Sequence, residues 1–393
     1  MRDRSSADEQ AGEPNPHVLL YSPGLGYIRR GLETFTQELY EALQGESALT
    51  TTLCQSTENV LSQAIPIWAP KRNSDLYQAK VFQRFQPKSY RIENFYFSLF
   101  LTWICYTKSC DIVHFSETIP ANVLFHLRNR IGGSFQLLFS NGGPALPKDY
   151  CRYDYVQVLT PDQKQEALQF GYPEHRLFLV PYGLNCQVFS KHLQAAEKDA
   201  LRQQLGLPRD RVIVLSVGAI NASHKRMDWL VEAFSTLDPT QFFLWIVGQS
   251  EAETKAIQAL AAARLCQGSY RFDSLPYDQM PTAYAVADYF VLCSLQEGFG
   301  RVYLEAMAAG LPVIAHRNAT TEWILGEDSS GLVDLTKQDN LRDALVSFEG
   351  NYFERESQQS TNQTRVFSRF DWGSLKGQYI QMYQQILEKN GCR

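Results

Sequence analysis

Two short apolar runs, Tyr289-Phe290-Val291-Leu292-Cys293 and Leu311-Pro312-Val313-Ile314-Ala315, bracket a segment reading E-G-F-G-R-V-Y-L-E from Glu297 to Glu305, continued by Ala306-Met307-Ala308-Ala309-Gly310. Runs of this kind are buried strands, and the residues between them form a turn and a helix. The Gly-aromatic-Gly turn therefore lies at the carboxyl end of a strand, which is where open α/β sheets bind ligands. Gly298 and Gly300 let the backbone approach a ligand closely, and the following helix presents free N–H groups suited to a diphosphate. Glu297 is placed to accept hydrogen bonds from sugar hydroxyls, and Glu305, about two helical turns later, from a ribose diol. Taken alone, two such glutamates read better as a helix start followed by a solvated carboxylate. The flanking strands favour the ligand.

This segment resembles the large retaining glycosyltransferase family 4, glycosyl transferases group 1, typified by bacterial mannosyl- and glucosyltransferases and sucrose-phosphate synthase. Its hallmark is two glutamates separated by seven residues, matched here with G-F-G inside and E-A-M-A-x-G-x-P-V following. The resemblance implies an α/β chain with the GT-B fold, two doubly wound Rossmann-like domains facing across a cleft. It is sharpest from about residue 212 to 333.

Length agrees with two domains, since 393 residues exceed one ordinary core. We divide the chain into a polar, disordered tail over 1–16, an acceptor-side domain over 17–190, a nucleotide-sugar domain over 191–370, and a terminal helix over 371–393 that crosses back. A net charge of -5 gives no reason to expect a nucleic acid partner. Eight scattered cysteines without a CxxC pair suit reduced thiols, and the tail has no apolar signal core, so a cytoplasmic location is expected. Phe95 to Tyr106 is apolar but too short to span a bilayer, and we read it as a buried helix. Residues 71–91 carry six basic side chains against Asp75, interleaved with Phe82, Phe85 and Tyr90. They suit an anionic or lipid-linked acceptor, or peripheral contact of residues 71–106 with the cytoplasmic membrane face; a solvated helix face competes with both.

Taken in order, His17 to Tyr21 is a first strand, followed by a glycine-rich loop with Gly24, Gly26 and Gly31 and a helix over 32–43. The spacing G-x-G-x-x-x-x-G departs from the dinucleotide fingerprint, which disfavours a nicotinamide dehydrogenase. The family places this loop across the cleft from the donor, making Gly24 and Gly26 donor-side candidates and Arg29 and Arg30 acceptor-side candidates. Cys110 to Phe115 matches its D-x-V-H strand and supplies His114, for which a core role competes with an acceptor-side one. At the next strand end, where many members have histidine, this chain has Ser140 and Asn141; an asparagine orients a hydroxyl but is no base. Leu177 to Asn185 resembles the V-P-N-G-V-D segment at the domain junction. After the strand Val212 to Gly218, Lys225 occupies the place of the family's diphosphate-binding lysine. Arg226 stands beside it as a second candidate cation, and Phe272 follows in the stretch that borders the nucleotide base.

By this reading Glu297, Lys225, Arg226 and Asn141 serve catalysis. Gly24, Gly26, Gly218, Lys225, Phe272, Glu297, Gly298, Phe299, Gly300, Arg301, Val302 and Glu305 hold the donor. The expected activity is retaining transfer of a sugar from a nucleoside diphosphate sugar, UDP- or GDP-linked, to an acceptor hydroxyl in glycan, glycolipid or polysaccharide synthesis. That sugar nucleotide is a co-substrate, and no cofactor is expected. The sequence contains no D-x-D, so the leaving diphosphate is expected to be stabilised by protein without a metal. A sugar-nucleotide epimerase or hydrolase on the same fold, or a non-catalytic binding protein, is the alternative.

Overall fold

The computed structural model describes residues 15–28, 31–74, 88–143, 145–191 and 193–389, with only the backbone for 352–355. The acceptor-side candidates Arg29 and Arg30, most of the tail over 1–16 and the middle of the basic segment over 71–91 lie outside the described residues.

The chain forms two parallel sheets. The first contains β1 (His17–Ser22), β2 (Thr50–Gln55), β3 (Ile65–Pro66), β4 (Ile112–Phe115), β5 (Gln136–Ser140), β6 (Tyr155–Val158) and β7 (Leu177–Leu179), in the order β3-β2-β1-β4-β5-β6-β7. The second contains β8 (Val212–Val217), β9 (Phe242–Val247), β10 (Tyr270–Asp273), β11 (Tyr289–Leu292), β12 (Val313–His316) and β13 (Leu332–Val333), in the order β10-β9-β8-β11-β12-β13. Helices cover both faces, so the central strands are buried on both sides and read as unbroken apolar runs; all of β9, Phe242-Phe243-Leu244-Trp245-Ile246-Val247, is buried. Strand order reverses beside β1 in one sheet and beside β8 in the other. Val18 pairs with Ile112 across the first reversal and Val214 with Tyr289 across the second. A crevice opens outside the carboxyl ends of the strands at each such point.

The helix Ser89–Thr107 contains the apolar run Phe95 to Tyr106, but it is not buried all round, which corrects the expectation from sequence. Phe97, Leu101, Ile104 and Cys105 recur at helical spacing and face the core, while Phe95, Tyr96, Leu99, Phe100 and Trp103 point outward, Trp103 being 66% exposed. Among the described residues no helix is long and apolar enough to cross a membrane.

The helix Trp372–Lys389 crosses back onto the first sheet. Its Tyr383 hydroxyl lies 2.8 Å from His114 Nδ1, and its Tyr379 hydroxyl donates to the Pro181 carbonyl at 2.8 Å. The Gln157 side chain links the two, with Nε2 donating to Tyr379 Oη at 2.9 Å and Oε1 lying 2.9 Å from His114 Nε2. The domains are also tied beside the cleft. Arg301 donates to Glu38 Oε1 at 2.8 Å and to the Gly183 carbonyl at 2.6 Å, while Trp372 Nε1 donates to Glu38 Oε2 at 3.0 Å. A β-carbon on Gly183 would fall 2.5 Å from the Trp372 ring, so only glycine admits this approach. Glu38 and Arg301 are both largely buried, their side chains 11% and 7% exposed. Removing one partner would leave the other charge uncompensated, so Glu38→Ala is expected to cost about 3–5 kcal/mol. The urea midpoint should fall accordingly, with Glu38→Gln less affected; an unchanged midpoint would show that this junction contributes little.

Candidate functional site

The carboxyl ends of the two sheets face each other across a cavity of about 1800 Å³. Small-molecule sites typically occupy about 300–1,000 Å³, so there is room here for two substrates together. On the second domain's side, β8 runs into Gly218 and a loop whose form is set by Asn221. The Asn221 Oδ1 accepts the backbone N–H of Lys225 at 2.7 Å and of His224 at 3.2 Å, a side-chain-closed turn. The turn delivers Lys225 Nζ to within 2.6 Å of Glu297 Oε1, with both residues lining the cavity and their side chains 15% and 7% exposed.

Glu297 stands at the end of β11. Gly300 has φ +80° and precedes the helix Arg301–Ala308, whose free N–H groups open toward the same cavity wall. One turn into that helix, Glu305 is 5% exposed and accepts the Tyr284 hydroxyl at 2.8 Å. Burial raises its carboxyl above the ordinary carboxylate range, opposed by the charge of Arg301. Phe299 is buried and meets the Tyr182 ring of the first domain edge-on, with centroids 5.7 Å apart. Gly298 touches that domain through backbone: a β-carbon there would lie 2.9 Å from the Gly142 carbonyl oxygen, and Gln163 Nε2 donates to the Gly298 carbonyl at 2.8 Å. The turn between the two glutamates is thus both cavity wall and domain contact.

The structure brings Gly26, Asn141, Gly218, Lys225, Glu297, Gly298, Phe299, Gly300, Arg301, Val302 and Glu305 to this one cavity. Asn141 is 3% exposed; its Nδ2 donates to the Ala145 carbonyl, and its Oδ1 has no hydrogen-bond partner among the described residues. Arg301 borders the space but spends its guanidinium on Glu38 and Gly183.

Four candidates are placed elsewhere. Arg226 adopts left-handed backbone with φ 51°, bonds through its guanidinium to the carbonyls of Cys293 and Leu335 and lies over the Trp229 ring at 4.7 Å, and it does not line the cavity. Phe272 lies within β10 and does not line the cavity, which is bordered instead by Ser274, Leu275, Pro276 and Tyr277 just beyond the strand. His114 is a core histidine, 2% exposed, both ring nitrogens engaged and its pKa pushed down to about 3 by burial. Gly24 sits behind the wall, packed against the Glu33 and Arg72 side chains.

Sequence reasoning missed Glu33 and Glu117, which line the first domain's wall together with Arg72, one of the six basic residues of the 71–91 segment. Glu117 carried a usable signal, since it follows a strand end at the first sheet's reversal.

This architecture, two doubly wound domains with a cleft between their strand ends, is that of the GT-B class. Residues 197–365 match the family model of glycosyl transferases group 1. Among curated relatives, D-inositol 3-phosphate glycosyltransferase of Xylanimonas cellulosilytica is 26% identical over 251 residues, covering 61% of this chain and 59% of that protein. The lipopolysaccharide core biosynthesis glycosyltransferase LpsE of Rhizobium meliloti is 33% identical over 132 residues, covering 34% and 37%. The matches thus span less than two thirds of these relatives' length. Among solved structures, sucrose-phosphate synthase of Thermosynechococcus elongatus superposes with a TM-score of 0.76 at 21% identity, over 95% of this chain and all of that one. Anabaena HepE in complex with UDP and glucose superposes with a TM-score of 0.75 at 14% identity, over 94% and 100%.

Proposed function

We propose that the chain is a retaining, metal-independent glycosyltransferase that moves a sugar from a UDP- or GDP-sugar to an acceptor hydroxyl in glycan, glycolipid or polysaccharide synthesis. The observation that carries this reading is the Lys225–Glu297 pair, held beside a helix start and inside a cavity large enough for donor and acceptor. The ammonium of Lys225 and the N–H groups at the start of the helix Arg301–Ala308 supply positive potential where a diphosphate leaving group gains charge. Glu297 accepts from the sugar hydroxyls, and Glu305, kept in place by Tyr284, from the ribose. The absence of D-x-D supports a leaving group met by protein groups alone.

In this mechanism the acceptor oxygen attacks the anomeric carbon from the side on which the diphosphate departs. The anomeric carbon–phosphate oxygen bond breaks as the new glycosidic bond forms, and the acceptor proton passes to the departing phosphate oxygen. No side-chain base is required, which fits Asn141 at its position on the wall. The UDP and glucose bound by Anabaena HepE support a nucleotide-sugar donor here by fold analogy only.

A cytoplasmic, membrane-peripheral location belongs to the same proposal. Its support is the outward row Phe95, Tyr96, Leu99, Phe100 and Trp103, which follows the basic segment over 71–91 in sequence. Co-sedimentation with anionic vesicles should be lost in Phe100→Ser/Trp103→Ser, and retention by that double variant would remove the membrane contact.

Lys225→Ala and Glu297→Ala are each expected to lower kcat by about 100- to 1000-fold, with the protein still folded. Glu305→Ala is expected to raise the donor Kd by about 10- to 100-fold. Near-normal turnover in either of the first two variants would defeat the assignment.

A further inference from the structure

Resting on the reading of Glu305 as the ribose ligand, we propose that Glu38, a first-domain residue outside the cavity, is a positioning residue for the donor: its charge holds Arg301 off Glu305 and keeps the Glu305 carboxylate free for the ribose diol. Glu38 lies on the helix Gly31–Leu43 and does not line the cavity. Arg301 and Glu305 do line it. They stand four residues apart on the helix Arg301–Ala308, the spacing that makes side chains neighbours on one helix face. Both are buried, and a buried arginine beside a buried carboxylate ordinarily pairs with it. Here the ion pair of Arg301 is made with Glu38 instead. Arg301 Nη2 donates to Glu38 Oε1 at 2.8 Å and Nη1 to the Gly183 carbonyl at 2.6 Å, while Glu305 Oε2 accepts the Tyr284 hydroxyl at 2.8 Å. Burial raises the Glu305 carboxyl and the charge of Arg301 opposes that rise, so the two groups are within electrostatic reach without a bond between them.

What decides the partner is the need of a buried guanidinium for a counter-charge. Glu38 and Glu305 are the two carboxylates whose charges bear most on Arg301. Glu38 meets the need from across the domain boundary and is fixed from two further sides. Its Oε2 accepts Trp372 Nε1 at 3.0 Å, and its Oε1 accepts the hydroxyl of Tyr277, a residue of the cavity wall, at 3.4 Å. With the charge of Glu38 removed, Glu305 is the carboxylate left to Arg301. The guanidinium also has a donor to spare for it, since Arg301 Nε is buried without a hydrogen-bond partner. Ribose hydroxyls would then compete with a cation for the lone pairs of Glu305, and the cation-to-carboxylate bonds are the stronger ones. A change in the first domain would thereby weaken reading of the ribose in the second.

The test uses the full-length protein and calorimetric titration with UDP, 2′-deoxy-UDP, GDP and 2′-deoxy-GDP, so that the loss of affinity on removing one ribose hydroxyl is read directly. In the wild type the deoxy form of the nucleotide that binds is expected to bind about tenfold more weakly. Glu38→Gln keeps the side-chain shape and removes the charge, and it should bring that ratio close to one. Glu38→Ser, which removes the charge but leaves room for water beside the guanidinium, is a second charge-free variant and should do the same. Glu38→Asp keeps the charge on a shorter side chain and should retain most of the ratio. A purely structural role for Glu38 would weaken both forms of the nucleotide alike and leave the ratio unchanged. An undiminished ratio in the charge-free variants, or its loss in Glu38→Asp as well, would overturn the proposal. A wild-type protein that binds neither nucleotide, or binds both forms equally, would refute the ribose reading of Glu305 and this proposal with it, whereas a wild-type ratio untouched by Glu38→Gln and Glu38→Ser refutes only the role of Glu38.

Discussion

The guanidinium of Arg301 is the point at which the two domains and the donor-side motif become one structure. It follows Gly300 directly, so the helix that opens toward the cavity begins with a side chain committed to Glu38 and to the carbonyl of Gly183 in the other domain. Trp372 completes the junction by bonding the second Glu38 oxygen and packing its ring closely against Gly183. Phe299 against Tyr182 and Gly298 against Gly142 extend the contact along the same turn. Residues within nine positions of sequence therefore shape the cavity and set how closely the domains approach. A change there alters both at once.

The two sheets repeat one strand order, and each places a glutamate beyond the strand that follows the reversal: Glu117 after β4 and Glu297 after β11. Glu297 is matched by Lys225 at 2.6 Å, and the adjacent helix start adds positive potential. Glu117 lies 3.6 Å from Arg72, which also holds Glu93. The second domain's wall is thus suited to an anionic group.

Much of the fold was legible because strands buried on both faces leave continuous apolar runs, as in β1, β5, β8, β9 and β11. β2 was not, since Thr50-Thr51-Thr52 opens it with polar side chains, and β3 is only two residues held by pairing with Cys54 and Gln55. The helix Ser89–Thr107 shows a different failure: apolar content suggested burial, while the 3.6-residue spacing of Phe97, Leu101, Ile104 and Cys105 carried the correct one-sided answer. In the site, Glu297, Gly298, Glu305 and Lys225 could be named because each is fixed by a short turn beside a strand. Direction was harder than position. Arg226 is next to Lys225 in sequence, yet one left-handed residue sends its side chain to Cys293 and Leu335. His114 lies on the right strand but faces Gln157 and Tyr383, the latter 269 residues away, and no local pattern reports such a contact.

The central claim is that a nucleoside diphosphate sugar is held in the cleft between these domains. The most direct measurement is the melting temperature of the purified protein with UDP, GDP, ADP and their sugar conjugates, because a ligand that binds only the folded state raises it. The account predicts a saturable rise with one nucleotide and its sugar conjugate, at free ligand about 100 times Kd equivalent to about 2.7 kcal/mol. A well-folded sample whose melting temperature moves with none of them would contradict it.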